Sequence, residues 1–207
     1  MRLVSAIYHG SYPFDNYFPL AEEVCTSDPN DLRKGDVLIV WGGGDISPTL
    51  YNKRVSRYTG ASAKPSKRDE IEWDLMKAAK ELCCPIIGVC RGGQMLTALA
   101  GGYLIQHVNN HSGYHSVTTV DHQLITVNSI HHQMMMPADS DHEVIAWASK
   151  VMSDVHIDED QDIPVVKEPE FIYYPGLKGF AIQWHPEMMK AEAEATKYVC
   201  NFMKDKL

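Results

Sequence analysis

The stretch IIGVCRGGQMLTALAGG, residues 86–102, sets one cysteine, Cys90, between an apolar run typical of a strand and a run typical of a helix. A strand that turns sharply into a helix is the geometry of a nucleophile elbow, which presents one side chain above the edge of a sheet. The helix N-terminus that follows would favour the thiolate form of the cysteine. Taken alone, the stretch leaves two interpretations open: a nucleophile, or a small buried cysteine in a tight turn.

Strand-like and helix-like runs alternate on both sides of this stretch. Helices are predicted over residues 68–82, 92–100 and 191–206. The predicted strands are Leu3–Tyr8, Val37–Trp41, Pro85–Val89, Ile125–Asn128, Glu143–Ala148 and Gly179–Trp184. This alternation predicts an α/β fold in which helices flank a mostly parallel central sheet. Short β-like pieces between residues 103 and 157 predict a small antiparallel extension, and residues 150–164 are expected to be an exposed, irregular, acidic connection.

Length and composition restrict the classes of protein that this chain can represent. Its 207 residues predict a single domain, 1–207, and the net charge of −8 argues against partners such as nucleic acid or an anionic membrane. No run approaches the roughly 18 apolar residues of a membrane span, and the first residues are expected to form a strand rather than a signal peptide. Five scattered cysteines without zinc-site spacing predict reduced thiols in the cytoplasm.

A base for Cys90 is offered by the segment GFAIQWHPE, residues 179–187. His185 follows an apolar strand and should therefore lie at the carboxyl edge of the sheet, where Cys90 also emerges. Glu187 could accept the second imidazole N–H and so fix the orientation of the ring. An isolated His-Pro-Glu would usually be interpreted as a surface turn. The presence of the Cys90 elbow in the same chain makes that interpretation less favoured.

The segment VLIVWGGGDISP, residues 37–48, ends a third strand at the same edge in a run of glycines. A glycine backbone can approach a substrate closely and supply an N–H to an oxyanion hole. Gly43 is preferred over Gly44 for this role, and the N–H of Arg91 would be the partner donor. The alternative is a flexible turn with no role.

Together these segments resemble the class I glutamine amidotransferase superfamily, and within it the γ-glutamyl hydrolase-like branch called peptidase C26. Five segments carry the resemblance in family order: GGGDISPTLY (42–51), RDEIE (68–72), GVCRGGQMLTALAGG (88–102), VNSIHHQ (127–133) and QWHPE (183–187). The resemblance implies a flavodoxin-like sheet of the class I amidotransferase type.

The resemblance also assigns roles to individual residues. It makes Cys90 the nucleophile, His185 the general base and acid, and Glu187 the orienting carboxylate, with Gly43 and Arg91 in the oxyanion hole. The residues that it implies for binding the γ-glutamyl group are Gly44, Gln94, Ser129, Ile130, His131 and His132. Two departures concern the pocket: Trp41 replaces a usually small residue or proline, and the β-rich region over residues 106–128 is shorter than usual.

His107, His111 and His115 are spaced by four, as metal ligands on a helix would be. The intervening Asn-Asn and Ser-Gly pairs are poor helix formers, so no metal site is predicted. The chemistry implied by the resemblance needs no metal or organic cofactor.

The predicted function is hydrolysis of γ-glutamyl amide bonds through a γ-glutamyl thioester, which releases glutamate and an amine. The partner would be a small γ-glutamyl substrate. The first alternative is a glutaminase subunit that delivers ammonia to a separate synthase. A catalytically silent binding module is the second, and the intact trio of Cys90, His185 and Glu187 speaks against it.

Overall fold

The computed structural model describes residues 1–7, 14–139 and 141–207. The strands are β1 (Arg2–Ser5), β2 (Glu22–Cys25), β3 (Val37–Val40), β4 (Ile86–Val89), β5 (Tyr103–Ile105), β6 (His107–Val108), β7 (Ser112–Thr119), β8 (Leu124–Ile130), β9 (Met134–Met136), β10 (Glu143–Ala148), β11 (His156–Asp158), β12 (Gln161–Asp162), β13 (Pro169–Tyr174) and β14 (Gly179–Ile182). The α-helices are α1 (Phe14–Tyr17), α2 (Lys67–Glu81), α3 (Arg91–Leu99) and α4 (Glu194–Lys206). Within these ranges, no helix is long and apolar enough to cross a membrane.

Nine of the strands form one central sheet in the order β2-β1-β3-β4-β14-β13-β10-β7-β8. Neighbours from β2 to β14 pair in parallel, and neighbours from β14 to β8 pair antiparallel. We call these regions the parallel half and the antiparallel half. The predicted α/β fold with a mostly parallel sheet and an antiparallel extension is confirmed, and the extension contributes four strands.

The burial of the strands follows from this topology. Every residue of β3 (VLIV), β4 (IIGV) and β14 (GFAI) is buried, as expected for parallel strands that are covered on both faces. Two hydrophobic clusters lie against the sheet, one around Trp41, Phe171 and Trp184 and the other around Leu75 and Met95. Strand β8 instead alternates between exposed and buried residues.

Predicted and observed element boundaries differ by one to three residues in most cases. Helix α2 begins one residue before the prediction because Ser66 and Asp69 form a capping box. The first predicted strand ended at Tyr8, which lies outside the described residues.

The prediction of an irregular, exposed connection over residues 150–164 is wrong. This segment contains β11 and β12, which form a small sheet with β6. Asp158 is buried and its carboxylate pairs with Lys53 at 2.7 Å, while Glu159 accepts the backbone N–H of Arg54 at 2.7 Å. The acidic residues therefore bind a basic segment about 105 positions earlier, a contact that local composition cannot reveal.

Candidate active site

Cys90 occupies a strained turn between β4 and α3. Its backbone angles are φ 50° and ψ −108°, a conformation that L-residues rarely adopt outside functional turns. The turn also requires close packing: a Cβ atom on Gly88 would lie 2.4 Å from the carbonyl oxygen of Gly92, and one on Gly92 would lie 1.9 Å from that of Val40. The glycines on both sides of Cys90 therefore permit the elbow that the sequence predicts.

Cys90 and His185 converge on the carboxyl ends of β4 and β14. The Cys90 N–H donates to the Ile182 carbonyl at 2.6 Å, which ties the elbow to the strand that leads to His185. A Cβ atom on Gly42 would lie 2.7 Å from His185 Cε1 and 3.6 Å from Cys90 Cβ. The nucleophile, the imidazole and the glycine loop that follows β3 are thus immediate neighbours.

Glu187 orients the His185 ring. Pro186 starts a short 3₁₀ turn that brings Glu187 Oε1 to 2.7 Å from His185 Nδ1. Since a carboxylate accepts the Nδ1 proton, Nε2 is left for proton transfer, and this atom is buried without a hydrogen-bond partner among the described residues. Burial alone lowers the pKa of His185, but interactions with Cys90 and Glu187 outweigh it and raise the pKa to about 10. The imidazole is therefore charged at neutral pH.

Asn128 fixes the backbone of His185 from the antiparallel half. Its side-chain N–H donates to the His185 carbonyl at 2.9 Å, and its side-chain oxygen accepts the His185 N–H at 3.0 Å. Sequence reasoning missed this positioning residue, although Asn128 stands inside the quoted segment VNSIHHQ.

The glycine loop is held by Arg68. The Arg68 guanidinium donates to the carbonyls of Trp41 and Gly42, each at 3.0 Å. A Cβ atom on Gly43 would lie 2.3 Å from this guanidinium, whereas one on Gly44 would meet nothing within 4 Å. Gly43 is therefore packed in place beside the elbow, and Gly44 borders open space.

Arg91 contributes differently through its backbone and its side chain. Because α3 begins at Arg91, its N–H is one of those that helical hydrogen bonds leave free, as an oxyanion donor requires. Its buried guanidinium pairs with Asp69 at 2.5 Å and with Glu72, which also accepts from Arg68 Nε at 3.0 Å. Sequence reasoning missed this network, which joins the start of α2 to both candidate oxyanion donors.

The predicted substrate-binding residues are in varied environments. Ser129 is buried and its hydroxyl donates to the His111 carbonyl at 2.8 Å, while Ile130 is 68% exposed. Gln94 is buried and donates to the Gln133 carbonyl at 3.2 Å, so α3 is joined to the segment that follows β8.

His131 and His132 point to different partners. His131 is buried and its Nδ1 lies 2.9 Å from the Gln133 carbonyl oxygen. His132 is exposed, and its Nε2 lies 2.9 Å from Asp45, which raises the pKa of His132. Of this pair, only His132 reaches the loop that carries the predicted oxyanion donor. A substrate contact by any of the six residues stays a prediction.

Among the residues that the structure describes, one group could hold a metal ion, and it differs from the trio spaced by four in the sequence. His111, His131 and Glu170 bring their ligand atoms within 4.8 Å of one another. His107 instead stacks on Tyr58, with ring centroids 4.8 Å apart. His111 and His115 lie directly before and within β7, where a spacing of four keeps side chains on one face, and their ring centroids are 5.4 Å apart, whereas His107 belongs to the separate strand β6.

The assembled side chains suit acyl transfer. A cysteine beside an imidazole is the pairing that nucleophilic catalysis uses, and free N–H groups at the adjacent helix start can receive a developing oxyanion.

Comparisons with known proteins identify the family of the chain. The Peptidase C26 family model matches residues 30–187. A glutamine amidotransferase-like protein of Lactococcus lactis is 27% identical over 76% of the chain and 68% of its own length. A protein named as a glutamine amidotransferase in Mycobacterium tuberculosis is 28% identical over 72% of the chain, which spans half of that protein. A solved structure described as a GMP synthase subunit of Thermoplasma acidophilum shares the fold, with a TM-score of 0.65 and 14% identity over 100% of this chain and 93% of that one. The chain belongs to the peptidase C26 family, within the class I glutamine amidotransferase-like superfamily.

Proposed function

We propose that this protein is a cysteine-dependent hydrolase of γ-glutamyl amide bonds. The observation that carries the proposal is the His185 imidazole, whose Nδ1 is hydrogen-bonded to Glu187 and which lies beside Cys90 at the glycine loop. The amidohydrolase chemistry of the family supports the same reaction type. The proposed active unit is the single domain 1–207.

The proposed reaction begins with the Cys90 thiolate attacking the γ-carbonyl carbon while His185 holds the proton. The N–H groups of Gly43 and Arg91 stabilise the resulting oxyanion. The C–N bond then breaks, the amine leaves with the proton from His185, and a γ-glutamyl thioester remains on Cys90. His185 next takes a proton from water, whose hydroxide attacks the thioester and releases glutamate.

The alternative, a glutaminase subunit that passes ammonia to a separate synthase, uses the same residues. Among the structural neighbours are the PurLQS assembly of Thermotoga maritima and a GMP synthase subunit, so a synthase partner is a second candidate. The five free cysteines favour a reducing compartment such as the cytoplasm for either activity.

The test is glutamate release by the purified protein from glutamine, γ-glutamyl amines and γ-glutamyl peptides. Turnover of γ-glutamyl amines or peptides without a partner is expected, and Cys90→Ala should lower kcat at least about 10⁴-fold. Cys25→Ala, which removes an exposed cysteine on the edge strand β2, should retain turnover. Turnover of glutamine alone would favour the amidotransferase role. No turnover of any substrate, or activity that survives Cys90→Ala, would contradict the proposal.

A further inference from the structure

A cluster of buried histidines and glutamates lies in the antiparallel half; it includes His131, which the sequence predicts for substrate binding, but neither Cys90 nor His185. His111 precedes β7, His131 follows β8 and Glu170 lies on β13, and each is at most 8% exposed. His111 and His131 are cross-strand neighbours: the His131 N–H donates to the His111 carbonyl at 3.2 Å, and the ring centroids are 4.5 Å apart. Residues on or next to three separate strands therefore bring two imidazole rings and one carboxylate to the same buried point.

The hydrogen bond that His131 makes to Gln133 determines which of its two ring nitrogens carries the proton and which carries a lone pair. Its Nδ1 lies 2.9 Å from the Gln133 carbonyl oxygen, which can only accept, so Nδ1 carries the proton in the neutral ring. Nε2 then presents a lone pair, and it faces Glu170 Oε1 at 3.6 Å. Two hydrogen-bond acceptors, each with a lone pair, face each other in a buried place, which is unfavourable unless a positive charge lies between them.

His111 stands between two carboxylates. Its Nδ1 lies 3.4 Å from Glu170 Oε1 and its Nε2 lies 3.3 Å from Glu168 Oε2, yet neither nitrogen makes a hydrogen bond of acceptable geometry among the described residues. Glu168 is itself fixed by the N–H groups of Met152 at 2.7 Å and Ser153 at 2.9 Å. The carboxylate is thus positioned to orient the His111 ring.

A proton on His111 is the competing source of positive charge. Burial lowers the pKa of His111, but Glu168 and Glu170 outweigh it and raise the pKa to about 9. That proton would satisfy His111 alone. It would leave the His131 Nε2 lone pair facing Glu170 Oε1.

A metal ion satisfies all three side chains together. Zn²⁺ binds imidazole nitrogen at about 2.0–2.1 Å, so two ligand atoms at a tetrahedral angle lie about 3.3–3.4 Å apart. The observed separations from Glu170 Oε1 are 3.4 Å to His111 Nδ1 and 3.6 Å to His131 Nε2. We propose that His111, His131 and Glu170 bind one divalent transition-metal ion, with Zn²⁺ the ion that suits this donor set best.

The surrounding residues complete the pattern that metal-binding histidines show. Each ring turns its other nitrogen to an oxygen: His131 to the Gln133 carbonyl and His111 to the Glu168 carboxylate. His115 Nε2 lies 3.1 Å from Glu170 Oε1 and orients that ligand. Because these groups are buried, the ion has a structural role, and it ties the β7–β8 hairpin to β13.

The test measures bound metal in untagged protein. After incubation with excess Zn²⁺ and desalting, elemental analysis should find about one Zn²⁺ per chain. Cys90→Ala should retain that ratio, which excludes binding at the candidate active site, and so should His122→Asn, which removes an exposed histidine. The triple variant His111→Gln, His131→Gln, Glu170→Gln should fall below about 0.1 Zn²⁺ per chain. Glu168→Gln should weaken Zn²⁺ binding about 10–100-fold in a chelator competition.

A second measurement on the unaltered protein keeps the test independent of the variants' folding. Co²⁺ added to chelator-treated protein should give the visible absorption of a tetrahedral site, and Zn²⁺ should abolish it. Chelation should also lower the melting temperature. Unaltered protein that retains less than about 0.1 Zn²⁺ per chain, or a folded triple variant that retains one equivalent, would overturn the proposal.

Discussion

The two halves of the central sheet support Cys90 in different ways. In the parallel half, the buried Arg91 guanidinium faces the carboxylates of Asp69 and Glu72, so each of these charges has a partner within the chain. In the antiparallel half, His131 Nε2 and Glu170 Oε2 are buried without a hydrogen-bond partner among the described residues. The Arg91 network is therefore complete in its own residues, whereas in the histidine–glutamate cluster the proposed metal ion would supply the missing partner.

The halves also reach the site by different routes. The parallel half presents Cys90 directly at the end of β4 and holds the glycine loop through Arg68. The antiparallel half reaches the site through Asn128, which fixes the His185 backbone, and through Gln133, which accepts a hydrogen bond from Gln94. In the proposed mechanism the parallel half supplies the reacting groups, and the antiparallel half helps to position them.

The largest effect is expected from removing a charge in the parallel half. Glu72→Gln leaves Arg91 buried with one carboxylate fewer, and breaking such a buried pair costs about 3–5 kcal/mol in the free energy of unfolding. Denaturant unfolding measures this loss. Glu70→Gln is the matched control, because Glu70 lies in the same helix with half of its side chain exposed, and should change little. Equal, small effects of both variants would show that the Arg91 network does not hold the parallel half together.

Asn128 tests the positioning role of the antiparallel half. Asn128→Ala removes both hydrogen bonds to the His185 backbone, and a displacement of about 1 Å at a catalytic group can lower kcat about 10²-fold. Steady-state kinetics should show this loss in kcat with little change in KM. Thr126→Ala, an exposed position on the same strand, is the control. Loss confined to KM would place Asn128 in substrate binding instead.

The raised pKa of His185 predicts how the site responds to pH. Because the pKa is raised to about 10 from 6.5, the charged imidazole stabilises the folded protein fully below pH 6.5, and this contribution is lost as pH rises towards 10. The rate should fall tenfold per pH unit above about 10, since His185 can then no longer protonate the leaving amine.

Glu187→Gln should move this alkaline limb to lower pH, because the carboxylate that helps to raise the pKa is gone. A pH–rate profile of both proteins measures the shift. An unchanged limb in Glu187→Gln would assign it to another group.

The smallest effect is expected at Gly44, on the open side of the glycine loop. The Cβ atom that Gly44→Ala adds would have no other atom within 4 Å. The free energy of unfolding should therefore change by less than about 0.5 kcal/mol, and kcat by no more than a few-fold. Gly42→Ala, two residues earlier, would place its Cβ 2.7 Å from His185 Cε1 and should impair turnover strongly. A large loss in Gly44→Ala would show that this backbone contacts the substrate closely.

The elbow and the α/β alternation could be predicted because their signals are local. Cys90 stands between an apolar strand and a glycine-flanked helix, and His185 follows a second apolar strand, so the period of each run predicts its element. Parallel strands carry their carboxyl ends to one edge, and this rule alone places the two residues together.

The supporting contacts could not be predicted because they join residues far apart in the sequence. Arg91 and Glu72 are separated by 19 positions, and Asn128 and His185 by 57. Neither pairing leaves a periodic pattern. The same reason explains the wrong prediction for residues 150–164, whose acidic side chains bind residues 53–57 rather than solvent alone.

The hydrogen bond from the Cys90 N–H to the Ile182 carbonyl has a consequence for dynamics. Since His185 lies three residues beyond Ile182, the sulfur and the imidazole are carried by two strands that are joined directly at the elbow. We therefore expect thermal motion of the sheet to displace both groups together. The Cys90 amide is expected to exchange its hydrogen with solvent only when the whole sheet unfolds.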